Sequence, residues 1–265
     1  MSMEAIATVT LPTFKKINFI KKVSDAIFEY FKNLPKGFKI LLTINLLVYL
    51  ICWAYDILFS FNVIKVLGIY ATIDERFRIY QFISNMFTHN LFYDHILSNL
   101  IGFFIFGVNV ERKIGTKNFI LLYLISGITG SIFCDYALRQ DYLHIMSEFK
   151  QLADAKMDCV SRSVSKMGLE YDLEDNLAFG ASGSVFGICL AYLLFNILNW
   201  RKIIFNLLIL FFIYSTITLI QAGGKYFATD MNHFGGMVGG FTFALTILLI
   251  RFVKWIQKRK EGVFT

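Results

Sequence analysis

The sequence predicts an all-α, polytopic membrane protein, and three observations carry that prediction. Hydrophobic residues make up 56% of the chain, with 29 Phe and only 2 Pro. Mean hydropathy is +0.58, and the apolar residues are gathered into long runs. Crossing a bilayer takes roughly 20 apolar residues, and six segments meet or nearly meet that length. The formal net charge of +7 is then more informative through its distribution between loops than as a nucleic-acid footprint, and no nucleic-acid partner is expected.

Residues 1–38 form an amphipathic N-terminal segment. They carry Lys15, Lys16, Lys21, Lys22, Lys32 and Lys36 but no continuous apolar core, which excludes a cleavable secretory signal. Across 14–34, Ile17, Ile20, Val23, Ile27, Phe31 and Leu34 recur every three or four positions with lysines between them. That pattern predicts a helix lying on an anionic membrane surface. A transit peptide shares part of it, and Asp25 and Glu29 count against one.

A membrane domain is expected over 39–253, with spans at 41–60, 95–110, 119–138, 179–198, 203–219 and 234–253. The second is short and reaches full length only by starting within 88–94, which puts His95 inside it. The connection 61–89 is too long for a tight turn, and its first third is apolar, as suits a loop in the membrane interface. The segment 139–177 has Leu143, Met146, Phe149, Leu152, Met157, Val160, Val164 and Met167 at close to helical spacing and an excess of acidic residues. It reads as an inserted pair of amphipathic helices or a single one. Residues 254–265 are a basic tail.

With six spans, both termini and the loops after the second and fourth spans share one side. Those segments hold most of the Lys and Arg, so the positive-inside rule places both termini in the cytoplasm or its organellar equivalent, with the acidic insertion on the other side. Cys52, Cys134, Cys159 and Cys189 show no paired spacing. Cys52 and Cys189 read as small buried hydrophobes, a Cys134–Cys159 bond would need an oxidising compartment, and no metal site is implied.

The chemistry gathers around Phe179-Gly180-Ala181-Ser182-Gly183-Ser184-Val185-Phe186-Gly187, which opens the fourth span. The first turn of a helix has N–H groups without intrahelical partners, so an oxyanion forming beside Ser182 would find donors waiting. The segment is not the G-x-S-x-G elbow of soluble hydrolases, because the second residue after Ser182 is Ser184. Taken alone it also fits a small-residue face that lets two membrane helices pack closely.

The expected topology separates these readings. Even-numbered spans enter from one face, so Ser182, His233, and the pair His95 and Asn99 fall at one depth, where apolar segments do not tolerate unpaired polar groups. Serine needs a base to take its proton, and His233 has the chemistry for it. His95 and Asn99, four residues apart on one helical face, can both donate to a developing oxyanion. A satisfied core histidine and an interhelical hydrogen-bond clamp are the structural alternatives for each taken singly. Gly183 and Gly187, and Gly235, Gly236, Gly239 and Gly240, place small residues at i and i+4, so the fourth and sixth spans are expected to cross beside Ser182 and His233.

These residues resemble the rhomboid family of intramembrane serine proteases. The resemblance lies in Gly180-Ala181-Ser182-Gly183, in His233 with Gly236 and Gly240, in His95 with Asn99, and in Glu111-Arg112 with Gly115. It covers about 80–253 and implies a six-helix core, cleavage of transmembrane protein substrates near the membrane surface, no metal and no organic cofactor. By that resemblance Ser182 is the nucleophile, His233 the base, and His95 and Asn99 oxyanion contributors. Three features depart from the family pattern. Tyr80-Gln81 stands where many members have Trp-Arg, Phe186 where many have Tyr against the histidine, and the insertion 139–177 is longer than usual. A second function class is a catalytically silent rhomboid-like protein that binds clients or belongs to a membrane complex, with 14–34 and 139–177 as docking surfaces. A small-solute transporter is the weakest reading, since no pair of broken helices is evident.

Overall fold

A computed structural model describes residues 21–22, 24–25, 28–154, 159–196, 209 and 227–260. The expected fifth span lies outside the described residues except for Ile209, and so does most of the amphipathic segment 14–34. The described chain is almost entirely helical. Its main elements are α1 (Lys36–Phe59), β1 (Ile69–Tyr70), α2 (Tyr93–Gly102), α3 (Val108–Ile114), α4 (Thr116–Asp154), α5 (Cys159–Asp175), β2 (Leu177–Ala178), α6 (Ser182–Asn196) and α7 (Phe227–Lys260).

Among the described residues, three helices are long and apolar enough to cross a membrane: Lys36–Phe59, Thr116–Asp154 and Phe227–Arg259. They cover the first, third and sixth of the segments expected from sequence, the first ending one residue early at Phe59. The second expected span is α2 and α3 joined without a break by a π-helical turn, Phe103–Gly107. The fourth is the shorter apolar helix Ser182–Asn196. Helices suit this setting because they satisfy their backbone hydrogen bonds internally, which hydrocarbon requires. The face of α1 bearing Leu47, Leu50, Ile51 and Trp53 is left open, as a lipid-facing helix surface would be.

A buried carboxylate fixes where α1 starts. Pro35 precedes the helix and supplies no N–H. The next donors are met by Glu111, whose Oε1 accepts from Gly37 N–H at 2.7 Å and whose Oε2 accepts from Phe38 N–H at 2.5 Å. Thr116 Oγ1 donates to the same carboxylate at 2.7 Å. A negative charge at a helix N-terminus is favourable there, and it ties α1 to the junction of α3 and α4. Beneath it an aromatic stack fills the core, with Phe38 on Phe103 at 4.4 Å between ring centroids and Phe103 on Phe119 at 5.8 Å.

The segment 139–177 is carried by the far end of α4, which runs on to Asp154, and by α5. Its end folds back onto the loop after α1. β1 and β2 pair antiparallel, with Ile69 opposite Ala178 and Tyr70 opposite Leu177. Arg76 donates to Leu173 O at 2.8 Å, and Lys65 pairs with Glu174 at 2.7 Å. Asp135 of α4 accepts from Thr72 N–H at 2.7 Å and from Arg139 Nε at 2.9 Å, which anchors the same loop from below. Tyr80 and Gln81, the departures in this loop, both donate to Val66 O at 3.2 Å. This layer leads straight into Phe179 and Gly180.

Candidate active site

α7 packs chiefly against α4 and α6, and glycines set how close it comes. A Cβ on Gly236 would run into the backbone carbonyl of Gly183, and one on Gly240 into that of Gly187. The two helices therefore meet backbone to backbone, in the manner of small-residue membrane crossings. Ser182 opens α6 and His233 lies just before Gly235 and Gly236 on α7, so the crossing carries both residues to one place.

The approach to Ser182 depends on Gly180. Its φ is +128°, a conformation reserved for glycine, and its N–H donates to Asn85 O at 2.9 Å. A side chain there would also collide with His95, since a Cβ would sit 2.9 Å from Nε2. The turn therefore brings the backbone up to His95 and releases the chain into α6 at Ser182. The N–H groups that open α6 have no partner within the helix.

His95 is oriented by its neighbours. Asn90 N–H donates to its Nδ1 at 3.5 Å, which leaves Nε2 to carry the ring proton towards the Gly180 turn. The ring lies at 5.2 Å, edge to face, from His89 and at 5.7 Å from Phe179. One N–H of the Asn99 amide donates to His95 O at 3.1 Å, so the second is free to point elsewhere. His233 is held flat by Phe186, the rings 4.2 Å apart and 9° from parallel. Phenylalanine thus supplies the stacking surface without a hydroxyl.

Ser182, His233, His95 and Asn99 all line one mainly apolar cavity of about 770 Å³ between α2, α6 and α7. The walls include Ile101, Phe106, Cys189 and Met237. Among the described residues Ser182 makes one side-chain hydrogen bond, with Asn232 Nδ2 donating to its Oγ at 3.5 Å, and none joins it to His233. A second cavity of about 10 Å³, enough for one water, lies behind Ala181 among Asn45, His89, Asn99 and Tyr123. Among the described residues no three His, Cys, Asp or Glu cluster as a metal site would need. Sequence reasoning passed over Asn232, His89 and Asn90. Each is a polar residue beside or within an apolar segment, so the rule that singled out His233 and His95 extends to them.

The fold and cavity define a helical integral membrane protein with a polar cluster sunk into an apolar cleft. The chain belongs to the rhomboid family: the rhomboid domain model matches residues 76–250. RHOMBOID-like protein 4 of Arabidopsis thaliana is 26% identical over 62% of this chain and 33% of its own length. The rhomboid protease GlpG of Haemophilus influenzae is 34% identical over 36% of this chain and 49% of its own. The chain thus spans half or less of these relatives.

Proposed function

We propose that the chain is an intramembrane serine endopeptidase that cleaves transmembrane protein substrates near the membrane surface with a Ser182–His233 dyad. The observation that carries this reading is the convergence of Ser182, His233, His95 and Asn99 on one mainly apolar cavity of about 770 Å³. Ser182 Oγ attacks the scissile carbonyl while His233 takes its proton and later returns it to the leaving amine. The oxyanion is met by the backbone N–H of Ser182, by Nε2–H of His95 and by the Asn99 amide. Gly183, Gly187, Gly236 and Gly240 keep the two helices close enough for this, and Phe186 fixes the plane of the base. The reading calls for no metal and no organic cofactor. Both termini lie on the positively charged, cytoplasmic or equivalent side.

The test is cleavage of a single-span reporter in liposomes. Ser182→Ala should abolish cleavage without lowering expression, and a fluorophosphonate probe should label the wild-type protein at Ser182. Cleavage that persists in the variant would sink the assignment.

A second reading follows from the missing Ser182–His233 hydrogen bond. A rhomboid-like protein that binds clients or serves as a subunit of a membrane complex needs no aligned dyad, and 14–34 and 139–177 would be its docking surfaces. Stable co-purification with several membrane subunits, together with no labelling at Ser182, selects it. Against it stands the tendency of catalytic hydrogen bonds to be long before substrate binds.

A further inference from the structure

We propose that Asn232 is a positioning residue for the nucleophile: its amide donates to Ser182 Oγ and leaves the hydroxyl's own proton for His233. The inference rests on the endopeptidase reading above. Asn232 Nδ2 lies 3.5 Å from Ser182 Oγ and is the one hydrogen-bond partner of that hydroxyl among the described residues. Asn232 as a whole is only 6% exposed, and its side chain occupies a notch made by two glycines on two other helices. A Cβ on Gly183 would come within 2.6 Å of Asn232 Oδ1, and one on Gly130 of α4 would run into the same oxygen. The notch holds the amide in place, and the amide sits on the residue next to the base.

The chemistry follows from what each group can do. An amide N–H only donates, so the serine oxygen facing it is an acceptor and its single O–H remains available to another partner. His233 lines the same cavity. During attack the O–H proton passes to the histidine ring, and the electron density left on Oγ is met by a dipole already in position. A separation of 3.5 Å is long for this bond at rest, which leaves room for it to shorten when substrate fills the site.

The experiment follows fluorophosphonate labelling of the full chain in detergent over time. In that reaction the Oγ–P bond forms, the P–F bond breaks, fluoride leaves and the serine proton goes to His233. The final extent of labelling reports the competent fraction, and the rate constant reports how well the nucleophile is activated. Asn232→Ala should reach the wild-type extent with a rate constant about tenfold lower, less than the ~10²–10³-fold typical of a short oxyanion donor. Asn232→Asp keeps the shape of the side chain while replacing the donor, and it should show the same fall even where the alanine variant is unstable. An unchanged rate constant in either labelled variant, or lost extent in both, assigns Asn232 to packing and overturns the inference. Wild-type protein that takes no label at Ser182 defeats the endopeptidase reading itself, which keeps the two failures apart.

Discussion

The α6–α7 crossing and the layer over its outer end are built by opposite means. At the crossing, backbones touch through glycines, polar side chains are few, and nothing can shift without separating the helices. In the overlying layer a two-residue strand pair, the Asp74–Arg76–Leu173 cluster, the Lys65–Glu174 pair and Asp135 hold the loop after α1 against α4 and α5. Those bonds are partly open to solvent and individually replaceable. The proposed nucleophile and base come from the rigid region, while Gly180 and the His89–His95 ring pair face the adjustable one. On the endopeptidase reading proposed above, the crossing that carries Ser182 and His233 would be insulated from movements of the layer.

The difference is best broken at the crossing, where the largest effect is expected. Gly236→Val puts two methyl groups against the Gly183 carbonyl, and overpacking of this kind should cost on the order of 3 kcal/mol. Thermal unfolding in detergent measures that loss, and labelling at Ser182 should disappear with it. Wild-type stability in this variant would mean that the helices are not in backbone contact. In the outer layer, Asp135→Ala removes the acceptor of Thr72 N–H and the partner of Arg139. Its expected cost is about 1.5 kcal/mol, the low end for a hydrogen bond to a charged group because this one is only part-buried. Labelling at Ser182 should survive while cleavage of a reporter falls. Equal loss of both would erase the distinction between the two regions.

Phe186 belongs to the boundary and sharpens it. Its ring lies parallel to His233 at 4.2 Å, and such aromatic contacts contribute about 0.5–1.5 kcal/mol beyond the area they bury. Phe186→Ala should lower the rate constant for labelling up to about tenfold, which corresponds to about 1.4 kcal/mol. Phe186→Tyr should preserve it. A tyrosine variant as slow as the alanine one would show that the flat stack is not what orients the base.

Most of the rigid region was legible in the amino-acid sequence and most of the layer was not. Residues 41–60, 119–138 and 234–253 announce helices through apolar length alone, and glycines at i and i+4 announce a crossing. His95, Asn99, Ser182 and His233 stand out as polar groups in apolar runs, and rhomboid membership follows from their motifs. The second expected segment is less obvious because its regular helices are two short pieces around the π-turn Phe103–Gly107. The pairing of Ile69–Tyr70 with Leu177–Ala178 has no sequence signature, since two residues show no alternation and partners more than a hundred positions apart meet only through tertiary structure. Asn232 was visible by the same rule that exposed His233. Which way its amide points depends on Gly130 and Gly183, and those lie on other helices.

The smallest effect separates the regions by pH. Burial pushes the Asp74 carboxyl up, but hydrogen bonds from the Arg76 side chain and backbone, with the Arg76 charge, outweigh it and hold the group below its ordinary 3.8. A carboxylate whose folded pKa is depressed contributes fully above the unfolded value and loses that contribution as pH falls through the folded one. Acidification below about pH 4 should therefore loosen the outer layer, while residues 234–243, past His233, carry no ionisable side chain. Arg76 is 35% exposed, so solvent screening limits the change to about 1 kcal/mol or less. Hydrogen exchange at residues 69–78 and 173–178 should quicken with acid in the wild-type chain, after correction for the intrinsic rate, and Arg76→Ala should abolish that acid-dependent increment. Exchange at 234–243 should stay slow in both. Equal acid sensitivity at the crossing would show that the layer and the crossing open together.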